Sequence, residues 1–166
     1  MVEMEIMGVQ VEVPQNTPVL LLREREGAGR VLPIYIGGAE ASSIHQAING
    51  DEPPRPLTHD LMCLVLESVG SSLRKVTVSE LRGGTFFAEL ELVTDGRTTS
   101  VSARPSDAIA LAVRLGTPVY ASEAVLDEAG QVPPAEDDDD QDQEPEALVD
   151  EFRRFIDEVN PEDFQS

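Results

Sequence analysis

The chain carries one pattern twice. Residues 9–49, moved by a constant offset of 67, overlay residues 76–116 without a gap. Val9 and Val11 meet Val76 and Val78, Gly29-Arg30 meets Gly96-Arg97, and Ile34 meets Val101. Glu40 meets Asp107, Ala41 meets Ala108, and Ile44 and Ile48 meet Leu111 and Leu115. Few of the paired residues are identical. What repeats is an order: strand, strand, Gly-Arg turn, strand, then a helix opening on a carboxylate. A further helix follows each copy, so the expected fold is α+β, with two duplicated β-β-β-α-α units sharing one core.

The local patterns fill in this frame. Val2, Met4 and Ile6 alternate, and Val9, Val11 and Val13 alternate in the opposite phase, which predicts a β-bulge near Gly8. "PVLLLRE" and "VLPIYIG" read as strands around the turn "EGAG"; "KVTVSE", "TFFAELELV" and "TTSVSA" are their counterparts, with Asp95-Gly96 as a hairpin turn and "RGGTFF" as a tight turn into a strand. Helices are expected over 38–48, 58–69, 106–115 and 122–129. Gly70 and Gly130 fall where helices 58–69 and 122–129 should end. The helix at 106–115 is apolar almost all round and should be the buried one.

The composition breaks after Pro134. "AEDDDDQDQEPE", residues 135–146, offers nothing to bury and reads as a disordered acidic linker. In residues 147–166, Leu148, Val149, Phe152, Phe155, Ile156 and Val159 recur at three- and four-residue steps. They predict a C-terminal amphipathic helix that Asn160-Pro161 ends. Such a helix is marginal alone, and its apolar stripe has three possible docks: its own body, a second subunit or another protein. Residues 1–134 form the domain.

Charge excludes one class of partner binding. The net charge is −20, of which residues 135–166 hold −12 and residues 1–134 hold −8. A negative body with one lysine, Lys75, and no tryptophan does not grip nucleic acid through its overall field. Action on DNA or RNA would need a local arginine site or a bound cation. The single cysteine, Cys63, makes no intramolecular disulfide, and a reducing, cytoplasmic compartment is expected. Residues 1–6 lack the basic end and long apolar block of a signal peptide, and no apolar run approaches the ~20 residues that cross a bilayer.

Two stretches put Arg-Pro before a hydroxyl and an aspartate: "PPRPLTHD" (53–60) and "ARPSDA" (103–108). Thr58 with Asp60, and Ser106 with Asp107, read as helix caps with a first-turn acid; Gly38 with Glu40 and Ser122 with Glu123 repeat the arrangement. Arg55 and Arg104 are not needed for caps. A positive charge before a helix N-terminus is favourable only opposite an anion, either a carboxylate from elsewhere in the fold or a phosphate. Arg55 and Arg104 are therefore expected to converge on one anion pocket. Arg30 and Arg97, at matched turns, read as surface contacts. His59, in a first helical turn, is a candidate general base, although such a histidine ordinarily faces solvent; His45 reads as an exposed or half-buried polar residue. Cys63 reads as a small helix residue. No phosphate-binding glycine loop, zinc-spaced cluster or nucleophile elbow is present.

Four blocks in order, "LPIYIGGAEASSI" (32–44), "RPLTHDL" (55–61), "GGTFFAELEL" (83–92) and "ARPSDAIALAVR" (103–114), resemble the bifunctional nuclease domain family. The likeness runs over roughly residues 1–132, and "FRRFIDEVNPEDF" is similar to the tail of bacterial members. The resemblance implies an α+β domain that forms a homo-oligomer, a dimer as first expectation, and a nuclease acting on DNA and RNA. The site residues inside the matching blocks are Glu40, Arg55, His59, Asp60, Arg104 and Asp107. In that reading Glu40, Asp60 or Asp107 could hold a divalent cation, Mg2+ or Mn2+, which would activate a water. Arg55 and Arg104 would stabilise developing charge, and His59 would shuttle a proton. The alternative is a non-catalytic oligomeric scaffold or ligand-binding module whose residues 147–159 recruit a protein partner.

Overall fold

A computed structural model describes residues 1–12 and 16–132. The expected acidic linker (135–146), the C-terminal helix (147–159) and Val13 of the alternating pattern lie outside the described residues. Within them the fold is α+β, with a mixed seven-stranded sheet and four helices.

The first meander comprises β1 (Val2–Glu12), β2 (Thr17–Glu24) and β3 (Val31–Tyr35), followed by α1 (Gly38–Asn49) and α2 (Thr58–Ser68). The second comprises β4 (Ser71–Arg82), β5 (Thr85–Thr94) and β6 (Arg97–Ala103), followed by α3 (Pro105–Leu115), β7 (Val119–Ala121) and α4 (Glu123–Ala129). Both meanders are antiparallel throughout. The phase change in β1 is a register shift between Ile6 and Gly8, and β4 carries a register shift between Leu73 and Lys75, one offset of 67 away. The shift lets the odd and even halves of β1 both find partners on β2. Asp95 and Gly96 take φ of 50° and 74°, the left-handed pair that a two-residue hairpin of matching twist requires.

The sheet order is β3-β2-β1-β7-β4-β5-β6. β7 joins the meanders: it runs antiparallel to β1 (Val2 opposite Ala121) and parallel to β4 (Val76 opposite Val119). β7 has no counterpart in the expected β-β-β-α-α unit, and the second half is β-β-β-α-β-α. Three residues are too few to show alternation. The strand is instead fixed from outside. The Val76 amide donates to the Pro118 carbonyl, the Ser122 amide to the Val78 carbonyl, and the buried Thr117 hydroxyl to the Leu73 carbonyl.

One core lies between this sheet and the helices. α1 packs on β1 and β2, α3 on β4 and β5, and α1 and α3 on each other; α2 rests on α3 and β4. Leu20, Leu22, Leu32, Ile44, Val76, Val78, Ile109, Leu111, Val125 and Leu126 are fully buried. α3 is the buried helix, as its composition requires: Ser106 and Ala108 through Ala112 are all buried.

Several helix starts differ by one or two residues from the expected caps. The N-cap positions are Gly37, Leu57 and Arg104 rather than Gly38, Thr58 and Ser106; only Ser122 caps as expected, accepting from the Val125 amide. Pro105 explains the shift in α3, since its fixed φ suits the first helical position and pushes the cap back onto Arg104. Gly130 does end α4 but with φ −70°, so no left-handed cap forms there.

Arg30 is not an ordinary surface arginine. Its Nε and Nη2 donate to Glu24 Oε1 at 2.9 and 2.6 Å, Nη2 also to Glu123 at 2.6 Å, and Nη1 to Asp127 at 2.8 Å. The Glu24 side chain is 3% exposed, and the Arg30 amide satisfies its second oxygen. This cluster ties the β2–β3 turn to α4, and the reciprocal Val31–Gln131 backbone pair extends the tie. Arg97 is exposed at the start of β6.

α4 is only seven residues long, so packing rather than propensity must hold it. Replacing Leu126, fully buried on its inner face, with alanine should lower unfolding free energy by about 2–5 kcal/mol in urea titration. A cost under about 1 kcal/mol would show that α4 is not part of the cooperative core.

Candidate functional site

Three helix segments place their charged residues on one shared seam. On α1, Glu40 and Ser43 are three residues apart and face α3; on α3, Asp107 and Arg114 are two turns apart on one side. The first turn of α2 brings His59 and Asp60 between them. The result is one continuous hydrogen-bonded chain.

Its centre is Asp107. Arg104 folds forward over the first turn of α3, and its Nε donates to Asp107 Oδ2 at 2.7 Å and its Nη2 to Oδ1 at 2.9 Å. The same Nη2 donates to Glu40 Oε1 at 2.8 Å, joining α3 to α1. A side chain on Gly37 would collide with the Glu40 carboxylate, so the glycine leaves room for Glu40 to fold back over the start of α1. His59 Nε2 lies 3.3 Å from Asp107 Oδ1, and its Nδ1 lies 2.8 Å from the Ser43 hydroxyl. Arg114 Nη2 donates to the same hydroxyl at 3.1 Å. Arg114 Nε donates to Asp60 Oδ1 at 2.5 Å, and its Nη1 to the Ala110 carbonyl at 2.9 Å. Asp60 Oδ2 accepts the Leu57 amide at 2.8 Å, one of the unpaired donors at the start of α2.

The directions of these bonds are consistent. An ionised carboxylate only accepts, so His59 Nε2 carries the proton toward Asp107. In the neutral ring Nδ1 is then the acceptor, and Ser43 donates to it while accepting from Arg114. Proton donation therefore runs from Arg114 through Ser43 and His59 to Asp107, where Arg104 meets it from the other side. No buried polar side-chain atom among the described residues lacks a partner.

The charges reinforce one another. Burial pushes the Asp107 carboxyl upward, but hydrogen bonds from Arg104 and His59 outweigh it and the group sits below the ordinary aspartate range. The Arg114 hydrogen bond holds Asp60 below its ordinary value against a smaller opposing effect of burial. Asp107 first and Glu40 second make the Arg104 guanidinium still harder to deprotonate. Cys63 is half-buried on α2 and burial raises its thiol pKa, which keeps it protonated and unreactive.

The structure thus brings together Glu40, His59, Asp60, Arg104 and Asp107, and it leaves Arg55 out. Arg55 lines a groove of about 890 Å3 with Pro53, Pro56, Asp60, Cys63, Glu67 and Arg114; Arg104 is not on that groove. The expected convergence of Arg55 and Arg104 on one pocket is not formed, because Arg104 is turned to Asp107 and Glu40. His59 is not solvent-facing either: it is 9% exposed, because the first turn of α2 packs against α3. His45 is the exposed residue expected, bonded at 2.9 Å to Asn49 one turn on.

Ser43 and Arg114 were missed. Arg114 is the sole charge in the apolar run 108–115, and a lone arginine on such a helix must find acceptors. That signal was present. Ser43 had none, since serine on a helix surface is unremarkable in sequence.

The Mg2+ or Mn2+ ion that the resemblance allowed, the cofactor itself being left open, does not fit this arrangement. The Arg104 guanidinium fills the place between Glu40 and Asp107, and Asp60 is committed to Arg114 and the Leu57 amide. Among the described residues no three His, Cys, Asp or Glu side chains converge as cation ligands. None of the described helices is long and apolar enough to cross a membrane.

Fold and site together define an α+β domain with a paired-charge, histidine-containing seam across three helices. The model of the bifunctional nuclease domain matches residues 20–134, more than half of the sequence, and the chain belongs to that family. An uncharacterized protein of Mycobacterium tuberculosis is 47% identical over 165 residues, 99% of this chain and 98% of its own length. Bifunctional nuclease 1 of Arabidopsis thaliana is 29% identical over 105 residues, 61% of this chain but 32% of the plant protein. Bifunctional nuclease 2 of the same plant is 29% identical over 112 residues, 64% of this chain and 34% of its own length.

Asp60 gives a pH test of the seam. Its folded pKa lies below the ordinary 3.8, so its contribution to stability is complete above that value and is lost as pH falls through the folded pKa. In a carboxyl-carbon NMR titration, Asp60 should titrate below 3.8 in the parent and move upward in Arg114→Leu. An unchanged midpoint would remove Arg114 as the cause.

Proposed function

We propose that this chain hydrolyses phosphodiester bonds in DNA and RNA. Membership of the bifunctional nuclease domain family carries the reading; the seam supplies groups of the right chemistry. His59 is the general base and acts through Ser43: as a water bonds to phosphorus and the ester P–O bond breaks, the Ser43 hydroxyl takes the water's proton and passes its own to the Nδ1 lone pair, and the imidazolium returns that proton by the same route to the departing oxygen. Asp107 holds the imidazole through Nε2 and stabilises the imidazolium that forms. Arg104, with its side chain 66% exposed, is the guanidinium that a phosphate can reach. The phosphate takes the place of Glu40 on Nη2, and Arg104 then stabilises charge developing on the phosphate oxygens. Asp60 and Arg114 hold Ser43 and His59 in position. Arg55 takes no part in this step.

The finer features of the chain fit around this reading. We take the two meanders as copies of one unit, supported by the register shifts and helix starts that recur at an offset of 67. The single cysteine suits a cytoplasmic setting. The amphipathic pattern of residues 147–159 suits a protein partner.

One observation favours a second reading, a non-catalytic scaffold or ligand-binding module: both arginines of the seam already carry carboxylate partners. An assay separates the two. Purified protein should cleave single-stranded DNA and RNA, and His59→Ala, Arg104→Ala and Asp107→Asn should each reduce the rate by ~10²-fold or more. Parallel reactions with Mg2+, Mn2+ or EDTA report any cation requirement. Cleavage that survives all three substitutions in folded protein comes from a contaminant and supports the module reading.

A further inference from the structure

The proton route of the seam has the layout of a serine hydrolase. The Ser43 hydroxyl stands 2.8 Å from one imidazole nitrogen of His59, and Asp107 stands 3.3 Å from the other. A hydroxyl, an imidazole and a carboxylate in that order are the parts that make serine a nucleophile. The ring is used the other way round from the familiar triad, with Nδ1 toward the serine and Nε2 toward the acid. Base action needs only that the two nitrogens face these two partners. His59 is buried and Ser43 half-buried, so water is partly excluded from the pair.

Two further features serve such a serine. Arg114 is a fixed donor beside it: Nε is held by Asp60 and Nη1 by the Ala110 carbonyl, while Nη2 spends one hydrogen on Ser43 at 3.1 Å and keeps a second. A donor already in place next to the nucleophile stabilises an oxyanion without reorganisation. Arg114 also lines the groove of about 890 Å3, together with Ala47, one turn beyond Ser43 on α1, and Cys63, one turn beyond His59 on α2. The groove therefore runs up to the three residues. Leu66, Leu73 and Val113 give it an apolar wall, and its lining holds four acids against two arginines, a balance that turns away an anionic acyl group.

We propose that Ser43 is a nucleophile toward neutral carboxylic esters whose apolar acyl group lies in this groove. Ser43 Oγ bonds to the acyl carbon as its proton passes to His59 Nδ1. The carbonyl oxygen becomes an oxyanion that Arg114 stabilises. As the oxyanion collapses, the ester C–O bond breaks and the alcohol leaves with the proton from Nδ1. A water then bonds to the acyl carbon of the seryl ester and gives Nδ1 a proton. The bond to Ser43 breaks, the serine recovers that proton, and the carboxylic acid departs. Asp107 stabilises the imidazolium in both halves, and Arg104 acts only by holding Asp107. This activity goes beyond phosphodiester hydrolysis and shares with it only the proton route through Ser43, His59 and Asp107.

The test reads the serine itself. The full chain treated with a fluorophosphonate should gain one adduct, which peptide mass spectrometry places on Ser43. It should also hydrolyse p-nitrophenyl butyrate. Ser43→Ala, with circular dichroism unchanged, should abolish labelling and lower turnover by on the order of 10³-fold or more, and His59→Ala should do the same. Ser43→Cys, which keeps a nucleophile at the same place, should still take up one butyryl group. An unlabelled parent, an adduct on another residue, or turnover that survives Ser43→Ala in folded protein would overturn the proposal. None of these readouts uses nucleic acid, so this activity and the phosphodiester reading can fail separately.

Discussion

The Asp107 carboxylate is the point on which the helical layer turns. It accepts Arg104 on both oxygens and His59 on one, and Arg104 reaches on to Glu40. Removing this one group would leave a guanidinium and an imidazole without their shared acceptor and would loosen α1, α2 and α3 from one another at their N-terminal ends. The arrangement follows from the character of α3. That helix is apolar along its middle and buried there, so its polar groups can only collect at its two ends. Arg104 and Asp107 form one end, Arg114 the other, and α1 and α2 supply the matching acids and the serine between them.

Two arginine sites in this molecule do different work under the same rule. A guanidinium leaving water needs carboxylates placed to receive its fork. At Arg30 three acids surround it and the outcome is a fixed joint between the β2–β3 turn and α4, with Glu24 held below its ordinary value by the Arg30 hydrogen bond. At Arg104 two acids suffice, and the side chain remains mostly in solvent. The first has every guanidinium nitrogen bonded to a carboxylate and is structural. The second leaves Nη1 without a partner among the described residues, and the phosphate of the proposed reaction would compete with Glu40 while Asp107 stays bound.

Much of the fold was legible because its signals are local. The phase change at Gly8, the Asp95-Gly96 turn and the apolar run of α3 each specify their structure within a few residues. β7 was not legible, because three residues carry no period and their place is fixed by β1 and β4, remote in sequence. The caps of α2 and α3 were misplaced because Thr58 and Ser106 are good cap residues by type, whereas Pro105 and the Asp60–Leu57 bond set the boundaries. In the site, five of the six candidate residues come together because they open α3 itself and the two helices, α1 and α2, that pack on it. Arg55 looked equivalent to Arg104 by its Arg-Pro context, but a proline after an arginine fixes the backbone and leaves the side chain free to seek its own acid. Arg104 has one three residues ahead in Asp107; the corresponding Thr58 offers none. Arg30 was misjudged for the opposite reason: its partners Glu123 and Asp127 lie more than ninety residues away.

Everything the seam does depends on the direction of the hydrogen-bonded chain through His59. Nitrogen-15 spectroscopy of the imidazole at a pH where the ring is neutral reads that direction. The ring should be in the Nε2–H form, protonated toward Asp107 and accepting from Ser43 at Nδ1, with the Nδ1 signal moving in Ser43→Ala. A neutral ring protonated at Nδ1, or one that exchanges freely between the two forms, would mean that Asp107 does not hold His59 and that the seam has no defined base.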